Sequence, residues 1–342
     1  MPFYKSLDQN SETDRRIIDG LIRLKTSLDE VIPVKKNDQN LLICTWNIRE
    51  FGGKKYGGRE IEPMFYIAEI ISHFDLVAIQ EIKDDLSQLE KLIRLLGGWW
   101  KFLVTDVTFG AQGNGERLAF VFDTRKVVAG GLVGEIQPEM VKVDGILQSN
   151  FSFARSPFMA GFRAGWYKFS ICSDHFYYGE SKPDDPQRVE ESKRITNLLK
   201  QRAKSKDQWA KNIILLGDFN IFSLDDRTFK TIEEADFKIP EEIKGIYTNA
   251  NKDKPFDQIA FLEEEGTDKI IIRKAGIFDF FKDVYRDSDE AIYLKQEADA
   301  GNTKKIKYSQ YRTFKLSDHL PMWVELNTDF GKKYLENKLR PV

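Results

Sequence analysis

Cysteine is almost missing from this chain of 342 residues: there are two, Cys44 and Cys172. Both sit inside apolar runs (LLICTW and YKFSICSD) without metal-ligand spacing. Neither a disulfide framework nor a paired-thiolate metal site is available, and two buried free thiols are expected. Long hydrophobic runs are missing too. No apolar stretch approaches the roughly 18 residues of a helical membrane span, and the polar opening MPFYKSLDQNSETDRR has no hydrophobic leader. The expectation is a cytoplasmic protein, from a reducing compartment, without stable membrane association. A surplus of one charge is also lacking: Lys plus Arg number 52 and Asp plus Glu 54, a net charge of −2. That balance excludes a protein that grips nucleic acid by bulk positive charge and leaves room for a local basic cleft. Apolar residues, by contrast, are plentiful at 41%, which excludes gross disorder.

At about 150 residues per domain the length suggests roughly two domains, although large mixed folds hold as much in one. Ile17, Leu21, Leu24, Leu28 and Val31 recur at steps of four and three, and Pro33 follows. The spacing predicts an amphipathic helix over 11–32. Its stripe packs on its own domain or serves a partner, self-association included. From residue 41 the pattern changes to apolar runs with helices between them. LLICTWNI, DLVAIQEI, WWKFLVTDV, ERLAFVFDT, GWYKFSICSDHF, NIILLGDFN, FDQIAFL and PMWVEL read as strands. FYIAEIISHF, LSQLEKLIRLLGG and a long segment opened by Asp184, Asp185 and Pro186 read as helices. Without a regular strand–helix period, this predicts an α+β protein of two sheets packed together with helices outside. Residues 286–312 are charged and irregular, an inserted helix or a surface loop. The boundaries are a helical extension over 1–39, a catalytic body over 40–328 and a tail over 329–342.

Phosphate-loop, H-E-x-x-H and G-x-S-x-G signatures are absent. Polar residues instead stand at the ends of apolar strands: Asn47, Glu81, His175, Asp218, Asn220, Asp257, Asp318 and His319. Strand ends hold polar groups rigidly yet accessibly. Two of the three histidines, His175 and His319, sit there beside an aspartate, whereas His73 falls inside a helix and reads as structural. Asn, Glu, Asp and His without paired thiols suit a hard cation held by oxygens, Mg²⁺ or Mn²⁺ before zinc.

In order, the motifs are TWNI, IQE, ERLAFVF, the His175 strand, GDFN, DQI and SDHLP, spanning residues 45–321. The series resembles the endonuclease/exonuclease/phosphatase superfamily. ERLAFVFDT and FARSPFMAGF draw it towards the deoxyribonuclease I-like nucleases. The resemblance implies a four-layer α/β/β/α sandwich of two mixed sheets flanked by helices. It also implies Glu81 as the main metal ligand, with Asn47 and Asp318 completing that end of the site. Asp257 and His319 correspond to the family's aspartate–histidine pair, the imidazole acting as general base on water or stabilising the transition state. Asp218 would orient water or the leaving oxygen, and Asn220 would donate to a phosphoryl oxygen. His175 backed by Glu116 resembles the second acid/base pair of the nuclease branch, and Arg155 its phosphate contact.

Arg117 would contact substrate or form a salt bridge under its strand. Lys54, Lys55 and Arg59 would meet a nucleic-acid backbone or lie in a solvated loop. The implied activity is metal-dependent phosphodiester hydrolysis of nucleic acid, DNA first. Phosphatases or phosphodiesterases of inositol phospholipids and sphingomyelin are the alternative on this fold, and an inactive scaffold is the third.

Overall fold

The apolar runs become strands in a computed structural model that describes residues 2–53, 58–108, 114–149, 151–206, 208–263, 270–301 and 306–339. The strands are β1 (Asn40–Phe51), β2 (Leu76–Ile82), β3 (Trp100–Val104), β4 (Arg117–Asp123), β5 (Val127–Glu135), β6 (Met140–Val143), β7 (Ile146–Ser149), β8 (Phe158–Ala164), β9 (Tyr167–His175), β10 (Ile213–Asp218), β11 (Asp257–Leu262), β12 (Ile272–Ile277) and β13 (Met322–Asn327). A six-stranded sheet has the order β12-β13-β1-β2-β4-β3 and a five-stranded sheet the order β11-β10-β9-β8-β5, with β6 and β7 forming a separate hairpin. Each large sheet contains one parallel pair, β1 with β2 and β9 with β10, among antiparallel neighbours. Both sheets are therefore mixed.

Strand β1 shows why its run is unbroken. Leu41 and Ile43 enter the core between the sheets, while Leu42, Cys44 and Trp46 enter a second core under the outer helices. A strand covered on both faces needs no polar alternation. Helices α1 (Glu12–Val31), α2 (Ile61–Ser72) and α3 (Ser87–Leu96) contribute to that second core. Helices α4 (Pro186–Lys204) and α5 (Arg227–Glu234) join the core of the five-stranded sheet. The result is the α/β/β/α sandwich expected.

The stripe of α1 is covered within the chain except at its last member, Val31, which is exposed. Ile17, Leu21, Leu24 and Leu28 are buried, each worth about 1.5–3 kcal/mol of apolar transfer. A Cβ on Gly20 would come within 2.5 Å of the Tyr66 hydroxyl, so this glycine lets α1 settle onto α2. Ser11 caps the start by accepting from the Asp14 amide.

The described residues within 286–312 take the helical option. A short 3₁₀ turn (Asp287–Asp289) leads into α6 (Glu290–Asp299), and α7 (Tyr308–Lys315) follows. Tyr293 and Tyr311 bury against Tyr285, Tyr308 packs on Tyr293 and Tyr311, and the Tyr293 hydroxyl donates to Glu62 at 2.6 Å. The tail forms α8 (Gly331–Leu339). Strands β5, β6, β7 and β12 and helices α5 and α8 are additions to the sequence reading. β5 is a glycine-bearing edge with most residues at least partly exposed, so little in its local pattern distinguishes it from a loop.

Candidate active site

The polar strand ends meet where the two sheets open. Register places His175, Asp218 and Asp257 side by side on β9, β10 and β11. Gly217 makes this possible: at φ +143 its missing Cβ would fall 1.9 Å from the Asp174 carbonyl oxygen, so only glycine lets β10 lie this close to β9. On the other sheet, the register of β2 slips between Ile79 and Ile82, and Glu81 takes a left-handed φ of 62°. A bulge of this kind re-aims one side chain, and here it turns the Glu81 carboxylate towards β1. Glu50 (φ 50°) and Asn220 (φ 51°) are left-handed too. Such conformations concentrate at functional sites.

Asp218 is the hub. Its Oδ2 lies 3.6 Å from His319 Nε2, 3.4 Å from His175 Nε2 and accepts from Asn47 Nδ2 at 2.9 Å. Each imidazole has a second carboxylate behind it: His319 Nδ1 is 2.8 Å from Asp257 Oδ2, and His175 Nδ1 is 3.2 Å from Glu116 Oε2. Two histidines from two segments thus face one carboxylate, His319 hydrogen-bonded to a second one and His175 within ion-pair distance of its own. Burial alone would lower the His319 pKa, but Asp257 and Asp218 outweigh it and raise it well above the ordinary imidazole value. Burial pushes the Asp257 carboxyl up, against the pull of His319. At Asp218 and Glu116 burial acts the same way and loses. His319 and His175 hold Asp218 down, while His175, Arg155 and Lys83 hold Glu116 down.

Asn47 bridges the sheets, its Nδ2 donating to Glu81 Oε1 at 2.9 Å as well as to Asp218. Glu81 Oε2 accepts from the Glu50 amide at 2.8 Å. The Asn47 Oδ1 atom is buried without a hydrogen-bond partner. An orphaned amide oxygen beside a carboxylate fits a hard, oxygen-loving cation. Asp318 stands half-buried nearby, 3.3 Å from Arg49. Burial raises its carboxyl and the charge of Glu81 adds to the effect, against His319 and Arg49. Asp218, Asp257 and His319 also bring ligand atoms within 4.8 Å of one another. Asn220 spends Nδ2 on the Phe176 carbonyl at 2.8 Å.

Arg155 and Arg59 depart from their expected places, and Arg117 takes one of its two. Arg155 is buried, with Nε on Glu116 at 3.0 Å and Nη1 on the Phe176 carbonyl at 3.3 Å, so its charge sits behind the His175–Glu116 pair instead of on an open surface. Arg117 takes the salt-bridge alternative: Nη1 donates to the Thr105 carbonyl at 2.7 Å and lies 3.4 Å from Asp106. Arg59 is buried and donates to the Lys315 and Leu316 carbonyls at 3.0 and 2.8 Å, tying the loop after β1 to the end of α7. Arg155 and Arg59 are buried guanidinium groups neutralised or solvated from inside, which backbone carbonyls do well, whereas Arg117 stays partly exposed. Lys54 and Lys55 lie outside the described residues. His73 bonds to the Glu69 carbonyl and to Asp29, within the α1–α2 packing.

Sequence reasoning missed three supports. Lys83 lies 3.2 Å from Glu116 and 3.4 Å from Glu50. Ser317 donates to the Asn47 carbonyl at 2.6 Å and accepts from the His319 amide at 3.0 Å. Glu191 of α4 accepts from the Tyr177 amide at 2.7 Å and from Ala154. Ser317 alone was signalled, by its place in SDHLP.

Comparison with known proteins places the chain in a family. The pattern of the Endonuclease/Exonuclease/phosphatase family matches residues 44–319, from the core of β1 to His319. The chain belongs to this family. Proteins similar to it include deoxyribonuclease gamma of Mus musculus, 22% identical over 271 residues, which span 74% of this chain and 80% of the relative. Among solved structures, a family protein of Bacteroides thetaiotaomicron superposes with a TM-score of 0.56 at 17% identity, covering 85% of this chain and 95% of the other. A mannosyl-6-phosphatase of the same species superposes with a TM-score of 0.54 at 15% identity, covering 84% and 99%. These two likenesses bear on the fold. Family membership makes the chain a hydrolase of phosphate esters. Among the described residues no helix is long and apolar enough to cross a membrane.

Proposed function

We propose that this protein is a divalent-metal-dependent phosphodiesterase that cuts nucleic acid, with DNA as the first substrate to try. One observation carries the reading: His175 and His319 face the same carboxylate, Asp218, each backed by a carboxylate of its own. Two positioned imidazoles supply an acid and a base to either side of a phosphodiester, the division of labour that phosphoryl hydrolysis needs. The relation to deoxyribonuclease gamma supports DNA.

Glu81, Asn47 and Asp318 are the residues that would hold Mg²⁺ or Mn²⁺, which when bound neutralises phosphate charge and acts as a Lewis acid. Asp257 fixes the Nδ1 proton of His319 and directs Nε2 towards the substrate. There Nε2 takes the proton of the attacking water or, as the imidazolium its two carboxylates favour, holds a proton against the phosphoryl oxygen. Asp218 orients the water between the rings. Glu116, held by Lys83 and Arg155, keeps His175 facing the same point.

The test is a panel of plasmid, single-stranded DNA, RNA and a lipid phosphodiester, each with Mg²⁺ or Mn²⁺ and with EDTA. Metal-dependent cutting of nucleic acid is expected, and Glu81→Ala should raise the metal requirement or remove activity. Full turnover in EDTA would sink the mechanism. Hydrolysis of inositol phospholipid or sphingomyelin with DNA and RNA untouched would replace the substrate.

A further inference from the structure

Beside His319 opens a cleft of about 620 Å³, within the roughly 300–1,000 Å³ of small-molecule pockets. One wall is aromatic. Phe256 lies 5.7 Å from the His319 ring, Phe222 lies 5.3 Å from Phe256, and Tyr178 stands 6.0 and 6.3 Å from the two. The rings lead outward from the catalytic imidazole, and Tyr178, 42% exposed, ends the row. Phe314 lines the same cleft from α7. Arg188 braces the wall from behind: its guanidinium sits 5.0 Å over Phe222 and donates to the Tyr178 carbonyl at 2.8 Å. Lys254 and Lys307 line the cleft as well, and neither has an ion pair among the described residues. The neighbouring arginines differ, being bound to carboxylates or carbonyls.

An aromatic face next to a phosphate-cleaving centre, with lysines beside it, has the chemistry of a nucleotide: a ring to stack and an anion to neutralise. A base inside a duplex already has both faces covered by its neighbours, so it cannot use such a wall. We propose that this cleft takes an unstacked base next to the scissile phosphate, and that the preferred substrate is an unpaired strand. The inference rests on the phosphodiesterase reading above.

The experiment compares one labelled oligonucleotide sequence as single strand and as blunt duplex, in DNA and RNA form to separate the two sources of the same chemistry, with Mg²⁺ present. The wild-type protein should show a KM for a single strand at least about tenfold below that for duplex. Tyr178→Ala should raise the single-strand KM on the order of tenfold, the loss of one base–aromatic stack, with kcat changed far less. Tyr178→Phe should restore it relative to alanine. Equal use of duplex and single strand, with Tyr178→Ala shifting neither, would overturn the inference and leave the phosphodiesterase standing. Failure to cut any strand with either metal would bring down both.

Discussion

At the scale of the residue, His319 concentrates the chemistry. Its ring meets Asp257 and Asp218, its amide donates to Ser317, and its carbonyl accepts from Trp46 Nε1 at 2.9 Å. The backbone contacts survive truncation of the ring, so His319→Ala should fold and lose only the imidazole. A fall in kcat on the order of 10²–10⁴-fold is expected, the span of acid–base groups. Asp257→Asn should lower kcat as well, because it removes the carboxylate that fixes the tautomer. His73→Ala, whose ring packs between α1 and α2, should keep wild-type turnover. Wild-type kinetics in a folded His319→Ala protein, checked by circular dichroism, would reject the assignment.

At the scale of the element, α4 acts as a clamp on the loop after β9. Arg188 donates to the carbonyls of Tyr178 and Lys182 at 2.8 and 2.6 Å, and Glu191, one turn on, accepts amides from Tyr177 and Ala154. One helix face thereby positions His175's neighbours, the aromatic wall and the segment carrying Arg155. Burial pushes the Glu191 carboxyl up from 4.5 to about 7, against its two amide donors. Between those values the folded chain keeps a proton that the unfolded chain has released, so the folded state binds more protons. Stability from this group is therefore present at low pH, falls as pH rises from about 4.5 to about 7, and levels off above. Glu191→Gln should flatten that part of the profile. Melting temperatures at pH 5 and pH 8 for both proteins test it, and equal differences would show that Glu191 does not titrate in this window.

At the scale of the whole molecule, a net charge of −2 leaves no bulk attraction for a polyanion. Binding must come from the few cations in the cleft, and of its lining lysines and arginines Lys254 and Lys307 are the two without an ion pair among the described residues. Each phosphate neutralised on a single strand contributes about −0.7 to the slope of log affinity against log salt, so two contacts predict a shallow slope of roughly −1.4. Lys254→Ala should reduce it by about 0.7. Fluorescence anisotropy over a salt series at fixed Mg²⁺ measures both. A slope several times steeper would mean that cations elsewhere carry the binding.

Much of the sandwich was legible in the chain. Runs such as LLICTWNI, DLVAIQEI and NIILLGDFN are long enough, apolar enough and sharply enough ended to be strands buried on both faces. The order of TWNI, IQE, GDFN, DQI and SDHLP named the family, because polar residues placed after such strands have no local reason to recur in that series. Element type and the position of a residue at a strand end are local properties, set by side-chain period and turn chemistry. What met what was decided only by tertiary structure. The bulge that turns Glu81, the two histidines facing Asp218, and the wall assembled from Tyr178, Phe222 and Phe256 depend on pairing between distant segments. So did the fate of the arginines: a guanidinium reads the same in sequence whether it ends in solvent or, like Arg59 and Arg155, among buried carbonyls and carboxylates. Periodicity constrains neighbours along the chain, and burial across two sheets is a long-range property that it does not encode.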